Sequence, residues 1–220
     1  ERTGYDEVSL TSLSTADFSG IEQVVSDTID EPGTCGRVSI ALPSLRVDAF
    51  TVGVAAQVSR ARRTGLTFAP EAGSWRLRQI INKLITEDDL YGAVRSAYSQ
   101  GWHRMKLYFL TGLPSEMDDD TLGIADLAQN CVEIGAQYTK KASVTVSLGG
   151  FVPKPHTPFQ WFGQNEPEEL QRKVDLVRNK VRRNKRIQLK WHAPDATTAE
   201  GITSRGDRRI GRVIEHVWRR

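Results

Sequence analysis

Three stretches of the 220-residue chain carry side chains on which chemistry could be built: Pro70-Glu71-Ala72-Gly73-Ser74, Thr111-Gly112-Leu113-Pro114-Ser115-Glu116 and Gly149-Gly150-Phe151-Val152-Pro153. Thr11-Ser12-Leu13-Ser14 adds three hydroxyls near the start. Glycines in these stretches let backbone come close to a ligand, while the carboxylates and hydroxyls offer hydrogen-bonding partners for a polar small molecule. Lys154 and His156 stand in the proline-stiffened run Pro153-Lys154-Pro155-His156-Thr157-Pro158, which makes them candidates for substrate contact. The alternative for that run is a rigid structural lid. Glu71 and Ser74 also fit a plainer role, an acid and a hydroxyl cap at a helix N-terminus. Glu116 equally suits a first-turn acid ahead of Asp118-Asp119-Asp120.

Several other chemistries are excluded. No glycine-rich loop ends in Gly-Lys-Ser/Thr, no Gly-x-Gly-x-x-Gly follows the first strand, and no Gly-x-Ser-x-Gly elbow occurs. The four histidines form neither a His-x-His nor a His-x-x-x-His pair, which argues against a zinc site. Cys35 and Cys131 are too far apart for a short-spaced metal knuckle and too few for a disulfide framework. Both suit buried structural thiols.

The elements that must position these residues alternate regularly. Strand patterns begin near residues 7, 38, 66, 105, 144 and 187. Helical patterns fall between them, at 18–29, 48–63, 74–84 with a second helix opened by Thr86-Glu87-Asp88-Asp89, 118–134 and 168–183, with a last helix over 207–218. The strand at 66–69 is expected to break at Pro70, and Met105–Leu110 reads as a fully buried strand. Strand–helix alternation of this kind specifies an α/β fold with a parallel sheet, doubly wound or closed as a barrel. In such sheets ligands bind beyond the C-terminal ends of the strands, and the polar, glycine-rich stretches lie there.

Taken in order, the motifs resemble those of the radical S-adenosylmethionine (SAM) enzymes. Thr67-Phe68-Ala69-Pro70-Glu71-Ala72-Gly73-Ser74, with Leu77 and Asn82-Lys83 following, is similar to the family's fourth strand–helix unit. Leu110-Thr111-Gly112-Leu113-Pro114-Ser115-Glu116 is similar to the fifth, and Gly149–Trp161 to the sixth-strand segment of a branch that often carries a cobalamin-binding-like domain. The resemblance spans about Tyr5 to Trp218 and implies a partial (β/α) TIM-type barrel entered at its second unit. It divides the chain into a core over 1–165 and a basic helix–strand–helix extension of the same barrel over 166–220. It also implies SAM contacts: Ser12 and Ser14 at the methionyl amino group, Glu71 and Ser74 at the ribose and carboxylate, Gly112, Leu113 and Glu116 at the adenine-side turn, and Phe151 and Val152 at the adenine wall. The family's Cys-x-x-x-Cys-x-x-Cys, which binds a [4Fe-4S] cluster, does not occur in the sequence. The expectation is that this segment lies upstream of Glu1, so that in an intact parent SAM would yield a 5′-deoxyadenosyl radical acting on a substrate. A degenerate homologue without redox chemistry is the other outcome. Cobalamin stays open.

Composition sets the remaining bounds. The chain is 39% hydrophobic, sufficient for a sizeable core, and has no run long enough to span a membrane. Its net charge of +3 conceals a split: Arg172–Arg220 carries 15 Lys/Arg against 5 Asp/Glu, while the first 171 residues carry 15 against 22. Such asymmetry suits an anionic partner at the C-terminal end, RNA in particular, with a solvated basic helix face as the alternative. A non-catalytic RNA-binding α/β module is therefore the competing functional reading. Cytoplasm is the expected compartment.

Overall fold

A computed structural model describes residues 66–220 together with residue 5 and residues 7–9, 18–31 and 39–41. The N-terminal part contributes β1 (Glu7–Ser9), α1 (Ile21–Asp30) and β2 (Ser39–Ala41), with β1 and β2 paired in parallel. From residue 66 the order is β3 (Leu66–Glu71), α2 (Trp75–Ile80), α3 (Glu87–Ser99), β4 (Arg104–Thr111), α4 (Asp118–Ala136), β5 (Ser143–Gly150), α5 (Pro167–Val181), β6 (Ile187–Trp191), α6 (Pro194–Arg205) and α7 (Ile210–Trp218). Strands β3-β4-β5-β6 form one parallel four-stranded sheet in chain order. Consecutive parallel strands joined by crossover helices make the architecture a partial (β/α) barrel.

The core lies between one face of this sheet and its helices. Phe68 of β3, Leu107 of β4 and Val146 of β5 are fully buried in one cluster with Val25 of α1, Val94 and Ala97 of α3, Ile124 and Ala128 of α4 and Val177 of α5. Alternation in each strand sends every second residue to the opposite face. Cys131 is completely buried in this cluster, and the apolar surroundings push its thiol up to about 12. Cys35 lies outside the described residues.

Four expectations require correction. Strand β3 does not stop before Pro70 but runs through it to Glu71; the register skips between Phe68 and Glu71, and a local irregularity of this kind accommodates a residue that has no N–H to donate. Strand β4 is not buried on both faces, because Arg104 and Tyr108 are exposed while Met105, Leu107 and Phe109 are buried. Helix α6 was not expected at all. Its sequence, Pro194-Asp195-Ala196-Thr197-Thr198-Ala199, lacks an apolar stripe, and it docks through Thr197, whose side chain occupies the space beside Gly150. As a result Arg205 ends α6, and the last helix opens at Ile210 rather than Asp207. The helical segment expected at 48–63 lies outside the described residues.

Candidate functional site

The rim begins with Glu71, where β3 ends. Its backbone takes the left-handed conformation, φ 69°, which glycine usually supplies. Such strain is held by its surroundings: Lys83 Nζ lies 3.6 Å from the carboxylate, and Ala72 N–H donates to Pro70 O at 2.9 Å. Burial raises the Glu71 carboxyl above its ordinary value, partly opposed by Lys83. Lys83 is itself placed by a tight reversal after α2, in which Asn82 has φ 56° and Lys83 N–H donates to Arg78 O. Arg78 is almost wholly buried; its guanidinium donates to Ala72 O at 3.1 Å and lies 3.6 Å from Glu87. The Glu-Ala turn and the Asn-Lys turn are thus built as one unit.

Ser74 caps α2. Its Oγ accepts from Leu77 N–H at 3.1 Å and donates to Asp120 of α4. Asp120 also receives Arg76 and, at 2.7 Å, Met117 N–H. Burial alone would raise Asp120, but the bonds from Arg76, Ser74 and Met117 outweigh it and hold the carboxyl below its ordinary value. Gly73 permits this approach, since a Cβ there would stand 2.5 Å from Ile124 N. The capping alternative for Ser74 is what the geometry contains.

The second turn is closed by Glu116, whose carboxylate accepts from Gly112 N–H at 2.5 Å and sits 3.0 Å from Lys173 Nζ of α5. Both side chains of this pair are buried, at 2% and 3% exposure, and burial raises the Glu116 carboxyl despite Lys173. Gly112 has φ 82° and faces Leu170, so a side chain is excluded twice over. Leu113 and Phe151 pack with Ala72 and Leu77 into a second apolar cluster beneath the rim, and Val152 is also buried. Lys154 pairs with Glu200 and donates to Ser204 Oγ at 3.0 Å, both on α6. His156 adopts φ 62° on the exposed surface, its N–H donating to Gln160. Ser12 and Ser14 lie outside the described residues.

The sheet face away from the helices opens into a crevice of about 320 Å³, lined by Ala69, Glu71, Tyr108, Leu110, Gly149 and His192. Of the residues singled out from the sequence, Glu71 reaches this crevice; Ser74, Gly112, Leu113, Glu116 and Phe151 build the layer that supports it. Along its lower edge the register aligns Tyr108 and Ser147, which line it, with Lys190 in one row, and Thr67, Lys106, Thr145 and Gln188 in the next row down. Sequence reasoning passed over these polar residues. The signal was available as the period-two alternation in Arg104-Met105-Lys106-Leu107-Tyr108-Phe109 and in Ile187-Gln188-Leu189-Lys190.

No protein-family model matches the chain. It is 29% identical over 215 residues to the uncharacterized protein MJ0966 of Methanocaldococcus jannaschii, covering 96% of this chain and 44% of that protein. Among solved structures it is similar to SuiB of Streptococcus suis bound to S-adenosylmethionine, with a TM-score of 0.55 at 9% identity over 84% of this chain and 39% of that one. The fold is shared with SuiB. SuiB bound to its precursor peptide SuiA gives a TM-score of 0.56 at 9% identity over 88% of this chain and 40% of SuiB. The chain therefore spans less than half the length of the proteins it matches.

The residues present can be tested against the two groups that the motifs imply. A crevice of this volume, apolar along Leu110 and Ala69 with a carboxylate at its edge, suits a SAM-sized ligand with polar and flat parts. A [4Fe-4S] cluster does not fit the residues present: Cys131 is sealed in the core, and no group of three or more His, Cys, Asp or Glu able to hold a metal occurs among the described residues. No helix among the described residues is long and apolar enough to cross a membrane.

Proposed function

We propose that this chain is the bulk of a radical SAM core that holds SAM in the crevice at the C-terminal rim of its sheet. The observation that carries the reading is the convergence of the ordered motifs. Glu-Ala-Gly-Ser, Gly-Leu-Pro-Ser-Glu and Gly-Gly-Phe-Val, distant in sequence, meet in one crevice and its supporting layer. The likeness in fold to a protein solved with SAM supports it. When bound together with a reduced cluster, SAM would supply hydrogen-abstraction chemistry toward a substrate. The cluster's ligands would come from a segment of a longer parent protein preceding Glu1, and cobalamin is not part of the proposal.

This chain's own contribution is to bind, orient and exclude water. Glu71 is the polar contact, an acceptor for SAM hydroxyl or ammonium groups, and Lys83 fixes its direction. Leu110 and Ala69 offer an apolar wall, while Gly149 leaves the floor of β5 without a side chain. Ser74, Glu116, Leu113, Phe151 and Val152 hold the rim from below, and backbone at Gly112 and Val152 completes the adenine side. Ser12 and Ser14, outside the described residues, are the proposed contacts at the methionyl end.

Binding of SAM to the purified chain, followed by amide chemical shifts, tests the reading. Shifts are expected at Leu110 and Gly149, with Glu71→Gln weakening binding about tenfold through loss of charge-assisted hydrogen bonds. SAM that leaves these amides unmoved overturns the assignment. Anaerobic iron–sulfide reconstitution of the longer parent, yielding neither cluster absorbance nor SAM cleavage, overturns the class.

A further inference from the structure

The sheet face at the lower edge of the crevice and beneath it has a charge character that the SAM reading does not use. Lys106 and Tyr108 on β4 point to the same face, with the Lys106 ammonium donating to the Tyr108 hydroxyl and lying 4.2 Å from the centre of its ring. Through the register, Tyr108 stands beside Ser147 and Ser147 beside Lys190. Tyr108 and Lys190 are two strands apart, about 10 Å between backbones, and their side chains flank the small Ser147 between them. Tyr108 and Ser147 border the crevice wall itself. Gln188 and Thr145 add neutral polar groups in the row below.

The acids that could neutralise this face are few. Glu71, at the top, is paired with Lys83. Among the described residues, no carboxylate forms an ion pair with Lys106 or Lys190. That is unlike the basic side chains elsewhere: Arg172, Lys173 and Lys180 of α5 are each matched by an acid of α4 or of the turn before it. A floor hydroxyl between a phenol that carries an ammonium and, on the next strand, a second lysine is chemically complementary to an oxyanion.

We propose that the Tyr108–Ser147–Lys190 row, together with Lys106 of the row below it, binds an anionic group, carboxylate or phosphate, of the substrate. The proposal rests on the reading of the crevice above it as the SAM site, and it names the substrate class which that site would serve: a small molecule or peptide bearing an oxyanion. Lys106 and Lys190 supply charge from opposite sides, Tyr108 and Ser147 supply hydroxyl donors, and the reacting part of the substrate extends upward toward Glu71.

The test uses the purified chain, with inorganic phosphate and succinate as separate probes, followed by amide and side-chain chemical shifts. Saturable shifts at Ser147 and its neighbours are expected. Lys106→Gln and Lys190→Gln should each weaken binding about tenfold, the ordinary worth of one charge-assisted contact. Lys106→Arg and Lys190→Arg should retain it, and Arg212→Gln on α7 should leave it unchanged. Binding of phosphate alone narrows the substrate to a phosphate ester, and of succinate alone to a carboxylate. Equal binding by parent and both glutamine variants overturns the inference, as does a comparable loss in Arg212→Gln. If Lys→Gln perturbs the fold, seen as loss of native shift dispersion, the arginine variants decide: loss of binding in a folded Arg variant counts against the row and retention supports it. SAM is titrated into the same samples. SAM binding without oxyanion binding defeats this inference alone, and oxyanion binding without SAM defeats the SAM reading alone.

Discussion

Asp120 shows how a residue outside the motifs can carry a site. It receives Ser74, Arg76 and Met117 N–H, so one carboxylate caps α4 and ties the Glu-Ala-Gly-Ser loop to that helix. Its carboxyl is held below the ordinary aspartate value in the folded chain. The unfolded chain therefore takes up this proton first as pH falls. The stability contributed by Asp120 is complete above the ordinary aspartate range and drains away as pH drops through the depressed folded value. Urea midpoints measured against pH should show parent and Asp120→Asn far apart near neutrality and converging as the medium becomes acidic. A constant gap across that range would contradict the assignment.

At the scale of elements, two glycines decide how α2 and α4 meet. Gly73 and Gly123 cross backbone to backbone, and a Cβ on Gly123 would stand 2.6 Å from Gly73 O. Neither neighbour is a flexible side-chain tip, so nothing can move aside cheaply. Gly123→Ala is expected to cost about 3 kcal/mol of unfolding free energy through overpacking, and to loosen the Ser74–Asp120 bond with it. Chemical denaturation gives the cost, and an unchanged midpoint would show that the crossing is slack. The same logic explains the basic charge of α5. Arg172 pairs with Asp118 and with Glu169 of its own helix, Lys180 with Asp126, and Lys173 with Glu116, so three of the 15 basic residues in 172–220 are matched to the acids of α4 and its approach.

For the molecule as a whole, α7 is the element that the described structure does not use. None of its residues is buried, although Val213, Ile214 and Val217 are apolar and Trp218 is 81% exposed. A chain ending at Gly206 should therefore unfold at the parent's urea midpoint, within about 0.5 kcal/mol, the range of surface changes. A larger loss would mean that α7 stabilises the barrel. Its removal should also leave the crevice and the Lys106–Lys190 face intact, since both are built from β3 to β6.

The alternation of strands and helices was legible because periods of two and 3.6 residues reflect local backbone geometry, which a neighbouring sequence cannot disguise. So were the turns, because residues such as Gly112 and the Thr86 capping box state their conformation in their own chemistry. Helix α6 was hidden because it is held by small and polar contacts, at Gly150, Gln164 and Lys154, rather than by an apolar stripe. The cap role of Ser74 was legible, but the ties that Ser74 and Glu116 make across the fold were hidden for a related reason: their partners, Asp120 and Lys173, lie 46 and 57 positions away. Sequence alone determined which residues would gather at the strand ends, since parallel connection forces every such loop to one rim. Which of them face the crevice and which hold it from behind was settled by packing, because side-chain direction is a property of the contacts made across the fold.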